Sequence, residues 1–169
     1  QQWRTQWKLD TYAFYSFRDF YGKLPFENGG IIDLYRNYYG LGSRLTYTDK
    51  KENWRHRWQI GTETALQRDQ RDRFLNQSGT QGANVFSQEE RFGSLSFYIL
   101  DELQSKKWLL RTSLRFDQQN LGTDKGFDNQ NYTVLNPSVG LSYAVVNQQH
   151  LFFNFSTSLN EPSNYVTCI

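Results

Sequence analysis

The sequence is poor in the residues that crosslink or bend a chain, and it has no long apolar run. Its 169 residues include one cysteine, Cys168, three prolines and no methionine. A single cysteine excludes an internal disulfide framework. No stretch approaches the roughly 18 consecutive apolar residues that a membrane-spanning helix needs. If this chain crosses a membrane, it must therefore do so as strands of a closed barrel.

The chain is also poor in net charge and in catalytic side chains. The formal net charge is +2, far from the concentrated basic surface of nucleic-acid-binding domains, so we expect no nucleic acid partner. The only histidines, His56 and His150, have no spacing that suits a metal site or a catalytic triad. The loop at 122–131 lacks the regular acidic alternation of a calcium loop. We expect no cofactor, no metal and no enzymatic activity.

Aromatic residues, by contrast, are abundant and alternate with polar ones. Phe, Tyr and Trp make up 17% of the chain. From Trp108 the alternation is regular, with one face carrying Trp108, Leu110, Thr112, Leu114 and Phe116 and the other Arg111, Ser113, Arg115 and Asp117. Because successive strand side chains point to opposite sides, this pattern predicts a strand with one apolar and one charged face.

The same pattern predicts about seven long strands. They lie near Trp7–Asp19, Ile31–Thr48, Trp54–Arg68, Val85–Leu100, Trp108–Asp117, Leu135–Val145 and Leu151–Ser158.

The connections between these strands alternate in length. The short ones are Thr48–Asn53, Asp101–Lys107 and Val146–His150, and the long ones are Phe20–Gly30, Asp69–Asn84 and Gln118–Asn131. Outer-membrane barrels have short periplasmic turns and long extracellular loops. We therefore predict an all-β fold, an antiparallel up-and-down meander that forms part of a transmembrane β-barrel.

This fold assigns two sets of residues to the membrane. The apolar strand positions are predicted to face lipid: Leu110, Leu114, Phe116, Val139, Leu141, Phe153 and Phe155. The aromatic residues near the short turns are predicted to form an interfacial girdle: Trp7, Trp54, Trp58, Trp108 and Tyr143. The charges of the other face suit a water-filled or plugged interior: Arg44, Arg57, Glu63, Arg111, Arg115 and Asp117.

Three segments carry a resemblance to a known family. They are Leu135–Tyr143 with its return strand Leu151–Ser158 and Pro162, the segment Gly61–Arg73, and the strand Trp108–Asp117. Together they resemble barrel strands of TonB-dependent outer-membrane receptors, most sharply in the last third of the chain.

The resemblance implies a Gram-negative outer-membrane barrel of about 22 strands, in contact with membrane lipids and lipopolysaccharide. Such receptors take up a scarce solute, most often a ferric siderophore, with energy from the TonB complex acting through an N-terminal plug domain. The plug and the TonB-binding segment are missing from this sequence, and its end, Val166–Ile169, has no terminal aromatic residue. We therefore expect residues 1–169 to be an internal piece of the barrel domain.

The candidate ligand contacts are the arginines of one strongly charged segment and the aromatic residue that follows: Arg68, Arg71, Arg73 and Phe74. Arginines can bind an anionic iron chelate or a lipopolysaccharide phosphate by charge-assisted hydrogen bonds. The alternative is that Asp69, Asp72 and neighbouring strands neutralise these arginines within the barrel wall.

Two other classes of protein remain open from the residues alone. One is a small outer-membrane porin or barrel enzyme, which the odd strand count and the missing catalytic residues disfavour. The other is a soluble β-sandwich that binds a ligand, which the alternation of short and long connections disfavours.

The lipid-facing pattern predicts how the isolated chain behaves. Its apolar strand faces and unpaired edge strands are unstable in water, and the uncharged segment 151–155 favours aggregation. We expect the chain to be insoluble without detergent, or to survive only by curling its apolar face into a core. Analytical ultracentrifugation in plain buffer tests this. A well-behaved monomer that unfolds cooperatively would favour the soluble sandwich.

Overall fold

The structure, a computed structural model, describes residues 6–124, 130–146 and 149–157. It contains seven strands: β1 (Gln6–Lys23), β2 (Ile31–Lys50), β3 (Trp54–Gln77), β4 (Thr80–Ser105), β5 (Trp108–Thr123), β6 (Gln130–Val146) and β7 (Gln149–Ser156). They form one antiparallel sheet in chain order, which confirms the predicted meander. Within these residues no helix is long and apolar enough to cross a membrane.

The register separates the side chains into two faces. Along one cross-strand row, Leu9, Leu45, Ile60, Ile99 and Leu114 are direct partners, and they define the apolar face. One residue along, the row Asp10, Arg44, Gly61, Tyr98 and Arg115 defines the polar face. This division follows from the period of two in each strand.

Within the described residues, no second layer covers the apolar face of the sheet. Among the described residues the only buried hydrophobic ones are Ile31, Ala65 and Val134, whereas large apolar side chains such as Leu41 and Phe97 are about half exposed. A soluble sandwich would pack such a face against a second sheet. The exposed apolar face therefore opposes the sandwich alternative.

The strands are longer than the sequence pattern predicts, and the predicted long loop Asp69–Asn84 is wrong. β3 and β4 continue as a paired ladder up to Gln77 and Thr80. They are joined by Ser78 and Gly79, both with positive φ, which suits a two-residue hairpin turn. Most residues along this extension are polar, and cross-strand polar pairs also stabilise a sheet.

The other predicted connections are also partly strand. β1 continues to Lys23, which reduces the loop before β2 to residues 24–30, and β5 continues to Thr123. The central part of the loop at 122–131, residues 125–129, lies outside the described residues. On the opposite edge the turns are short, at 51–53 and 106–107. We call this edge the short-turn end and the edge with the β3–β4 turn the long-hairpin end.

At the long-hairpin end the 24–30 loop is fixed against the β3–β4 hairpin. The Asn76 side-chain amide donates to the Leu24 backbone carbonyl at 2.6 Å, and the Asn76 backbone N–H donates to the Glu27 backbone carbonyl at 2.7 Å. Ile31 is fully buried at this point. The protruding hairpin and the loop therefore form one packed unit.

On the polar face, aromatic rings lie over glycines of the neighbouring strand. Tyr12 pairs with Gly42, and Tyr98 pairs with Gly61. A Cβ atom at Gly61 would lie 2.4 Å from Cζ of Tyr98. The missing side chain therefore lets the ring lie flat across the strand, an arrangement that fixes register and curvature in β-sheets.

This contact predicts a specific loss of stability on substituting Gly61→Ala. The new methyl group must push the Tyr98 ring aside, which we expect to cost about 1–3 kcal/mol of unfolding free energy. Guanidinium unfolding of the complete protein in detergent micelles measures it. Gly93→Ala is the matched control, because a Cβ there meets only Leu66, at 3.3 Å. Equal effects of the two substitutions would contradict the steric argument.

Candidate functional site: the charged polar face

The polar face collects charged side chains from strands that are distant in sequence. The charges predicted to line an interior, Arg44, Arg57, Glu63, Arg111, Arg115 and Asp117, all occupy registers of this face. They are arranged in three clusters between the short-turn end and the long-hairpin end.

The cluster nearest the short-turn end is built on Glu102, whose side chain is only 1% exposed. Its carboxylate accepts from Nη2 of Arg55 at 3.1 Å, Nη2 of Arg57 at 3.1 Å and Nε of Arg111 at 2.7 Å. The three arginines are 36–60% exposed. One carboxylate thus joins β3, β4 and β5 and leaves two net positive charges on the surface of the polar face.

The middle cluster is built on Arg115. Its guanidinium donates to Asp117 at 2.8 Å, to Ser96 at 2.9 Å and to Glu63 at 3.3 Å, and it lies over the Tyr98 ring. Ser96 in turn donates to Asp117 at 2.6 Å. Two carboxylates surround one arginine here, so this part of the face carries a net negative charge.

The third cluster lies towards the long-hairpin end. Arg36 donates from Nε to Asp69 at 2.9 Å, and Gln67 donates to the same carboxylate at 3.1 Å. Arg71 contacts Glu90 at 3.3 Å. Hydrogen bonding to Asp69 raises the pKa of the Arg36 guanidinium. Each arginine here has a carboxylate from an adjacent strand.

On the apolar face, the residues predicted to face lipid occupy one continuous surface. Leu114 pairs with Pro137, Val139 with Phe155 and Leu141 with Phe153, and the set is completed by Leu110 and Phe116 in the same register. The sheet thus brings together side chains from three strands, as the alternation predicts. Facing lipid itself stays a prediction.

The predicted girdle residues form ring clusters near the short-turn end. Trp7 and Trp58 meet edge to face at a centroid distance of 5.4 Å, with Tyr47 against both. Trp108 and Tyr143 lie 4.2 Å apart. Trp54 lies next to His56 and below the ammonium group of Lys51. Such amphipathic rings are typical of a membrane–water interface.

Comparison with known proteins identifies the architecture. The family model described as "TonB dependent receptor-like, beta-barrel" matches residues 1–167. The chain belongs to this receptor barrel family. No curated protein matches the sequence significantly.

Among solved structures, the receptor chain resembles the ferric citrate transporter FecA in its unliganded form. The TM-score is 0.63 at 14% sequence identity, over 89% of this chain. The match covers 24% of the transporter chain, so this chain spans about a quarter of that protein. At this identity the likeness concerns the fold, a β-barrel wall.

The four candidate ligand contacts of this receptor barrel are split between the two faces. Arg71 and Arg73 lie on the polar face, whereas Arg68 and Phe74 follow the apolar face. The Arg73 guanidinium lies 6.0 Å from the Phe86 ring centroid. A single ligand therefore does not meet all four side chains from one side of the sheet, and their role in binding stays a prediction.

One close pair was not predicted from the sequence. Nε2 of His56 lies 2.6 Å from Oδ1 of Asp101, and both residues belong to the apolar-face register near Trp58. His56 and Asp101 are diagonal neighbours across β3 and β4, so the contact can be recognised only when the pairing of these strands is known. Within the part of the chain that the structure describes, no group of three or more acidic, His or Cys residues could hold a metal ion.

The Glu102 cluster predicts that neutralising two different carboxylates of the receptor lowers its unfolding free energy by unequal amounts. Glu102→Gln should lower the unfolding free energy by about 1–3 kcal/mol, because a buried acceptor loses charge while three arginines remain together. Asp10→Asn is the control. Its side chain pairs with exposed Lys8 and Arg44, and exposed ion pairs contribute little, so we expect a clearly smaller loss. Chemical unfolding in micelles compares them, and equal losses would contradict the assigned role of Glu102.

Proposed function

We propose that this chain forms part of the barrel wall of a Gram-negative outer-membrane receptor that imports a scarce solute, a ferric siderophore, with energy from TonB. The observation that carries this proposal is the contrast between the two faces of a single-layered sheet. An exposed apolar face on one side of the sheet and a charged face on the other suit a wall with lipid on one side and water or protein on the other.

The polar face supports a transport role for the interior. The Glu102 cluster is net positive, the Arg115 cluster is net negative and the third cluster is balanced, so this face offers contacts of both signs to a polar domain or solute inside the barrel. In the family, a plug domain fills this space and communicates with TonB. We assign the Glu102 and Arg115 clusters to contacts with that plug.

The long-hairpin end would be the extracellular mouth, because barrel strands protrude and loops are longest on that side. Arg71 and Arg73 are then the contacts that an anionic ferric chelate would meet inside the mouth. Charge-assisted hydrogen bonds from guanidinium groups suit the carboxylate or catecholate oxygens of such a chelate.

Uptake of radioactive iron tests the proposal. The complete receptor is expressed in cells that lack their own ferric-chelate receptors, and a panel of ferric siderophores is supplied. We expect uptake of at least one chelate that disappears in cells without TonB. Arg71→Gln and Arg73→Gln should weaken chelate binding about tenfold each, the effect of one charge-assisted hydrogen bond.

A surface-labelling control verifies that the receptor is inserted. In a Cys168→Ser background, Ser78→Cys at the long-hairpin end should react with an impermeant maleimide on intact cells. Lys106→Cys at the short-turn end should react only after lysis. Correct labelling without uptake of any ferric chelate would reject the proposed solute class, and equal labelling of both sites would reject the outer-membrane topology.

A further inference from the structure

The loop between β1 and β2 carries one asparagine in a chemically distinct setting. Asn28 is the only asparagine of the chain that a glycine follows. It is exposed in a turn of the loop, and the backbone of Gly29 has a φ of 71°. Every other asparagine is followed by a residue with a side chain, which shields the next peptide nitrogen. At Asn28 no such side chain separates the asparagine amide from the next backbone nitrogen.

The two groups that meet at this step are free of hydrogen bonds. In the described part of the chain, no hydrogen bond uses the Gly29 N–H or the Asn28 side-chain amide. An asparagine side chain reaches the backbone that follows it without strain, as the hydrogen-bonded turns built on this residue show. No hydrogen bond therefore has to break before Cγ of Asn28 meets the Gly29 nitrogen.

Asn76, in the hairpin against which this loop packs, shows the opposite situation. Its side-chain oxygen accepts from the Gly79 N–H at 2.6 Å, and its side-chain amide donates to the Leu24 carbonyl at 2.6 Å. The residue that follows it is Gln77, which pairs with Thr80 in the β-ladder. Two asparagines of one packed unit therefore differ in whether the side chain can turn towards the next peptide nitrogen.

We propose that Asn28 is a site of spontaneous deamidation, through a succinimide ring formed with Gly29. The Gly29 nitrogen loses its proton to solvent base and bonds to Cγ of Asn28, and the side-chain nitrogen leaves as ammonia. Water then opens the ring at either of its two carbonyls, which gives aspartate or isoaspartate. The reaction consumes water, releases ammonia and needs no oxidant, metal or enzyme. It is favoured because the two reacting groups are held next to each other by the chain itself.

The surroundings of this step suit the later stages of the reaction. The side chain of Asn28 is exposed, so ammonia leaves into solvent and water reaches the ring, whereas Gly29 is buried. An ideal Cβ atom on Gly29 would lie 3.5 Å from Cδ of Arg73 and 4.0 Å from Cγ2 of Val85. These two side chains cover the Cα atom of Gly29 and hold the glycine in place while the Asn28 side chain turns onto it.

Isoaspartate at position 28 would lengthen a tightly folded backbone, because it adds a methylene group to the main chain. Before this position, the Glu27 carbonyl accepts from the Asn76 N–H at 2.7 Å, and after it the Gly30 carbonyl accepts from the Leu24 N–H at 2.7 Å. A Cβ atom on Gly30 would collide with the Phe26 carbonyl oxygen, so this turn has no spare room. The product therefore loosens the contact between the loop and the β3–β4 hairpin, and it adds a negative charge there.

Peptide mass spectrometry of the complete receptor in detergent micelles tests the site. The purified receptor is incubated at neutral and at alkaline pH, and isoaspartate is detected by enzymatic methylation of its carboxylate. We expect Asn28 to be modified at least about tenfold faster than Asn76, and faster at alkaline pH because the Gly29 nitrogen must lose a proton. Hydrogen exchange of the Asn76 N–H should become about tenfold faster in the isoaspartate form, because this N–H loses its acceptor.

Two variants separate ring formation from the added charge. Asn28→Gln keeps the amide, but its longer side chain would have to form a larger ring, so this variant should stay unmodified. Freshly purified Asn28→Asp carries the new charge without the added backbone atom, so hydrogen exchange at Asn76 should equal that of the unmodified receptor. Circular dichroism verifies that both variants are folded.

Three results would overturn the proposal. They are equal rates of modification at Asn28 and Asn76, formation of aspartate without any isoaspartate, and modification of the Asn28→Gln variant at the rate of the unchanged receptor. None of these measurements depends on solute uptake. The chemical modification and the proposed transport function can therefore be rejected independently of each other.

Discussion

The continuous antiparallel hydrogen-bond ladder is the constraint on which the rest of this structure depends. A hydrocarbon medium offers no water to unpaired N–H and C=O groups, so a chain that crosses it as strands must satisfy them through neighbouring strands. Here each strand from β1 to β7 pairs with its neighbours in chain order. The ladder replaces the hydrophobic core as the main source of order, and only three hydrophobic residues are buried in the described ranges.

Because the sheet is a single layer, its two faces can contact different media. On the polar face, charged side chains form contacts between neighbouring strands. Glu102 joins β3, β4 and β5 through its arginines, Arg115 joins the same three strands further along, and Arg36 with Asp69 joins β2 to β3. Packing of the Tyr98 ring over Gly61 also favours one register between β4 and β3. These contacts run perpendicular to the strands, so they stabilise the relative positions of strands that no core holds together.

The strand order and the division into faces could be predicted from the sequence because both depend on local alternation. The period of two from Trp108 to Asp117 recurs in the structure as pairs such as Leu114 with Pro137. The extent of β3 and β4 could not be predicted in this way. Their outer halves contain many Gln, Asn, Asp and Arg residues, which are also common in loops, and only pairing between the two strands distinguishes a protruding hairpin from a loop.

The face on which each charged residue of the candidate site lies could be predicted from the sequence, but the residue that it contacts could not. That Arg57, Arg111 and Arg115 share a face follows from parity within each strand. That Arg57 and Arg111 meet at Glu102 follows from the register, which sequence alternation leaves undetermined. The contact between His56 and Asp101 has the same origin, because it links residues that are diagonal across β3 and β4.

The two arginines Arg68 and Arg71 illustrate why charge alone does not assign function in this fold. They are close in sequence, but an odd separation along a strand places them on opposite faces. Arg71 has a carboxylate partner on β4, whereas Arg68 faces a second arginine. Whether an arginine of this sheet meets a carboxylate therefore depends on the register, which sequence alternation leaves undetermined.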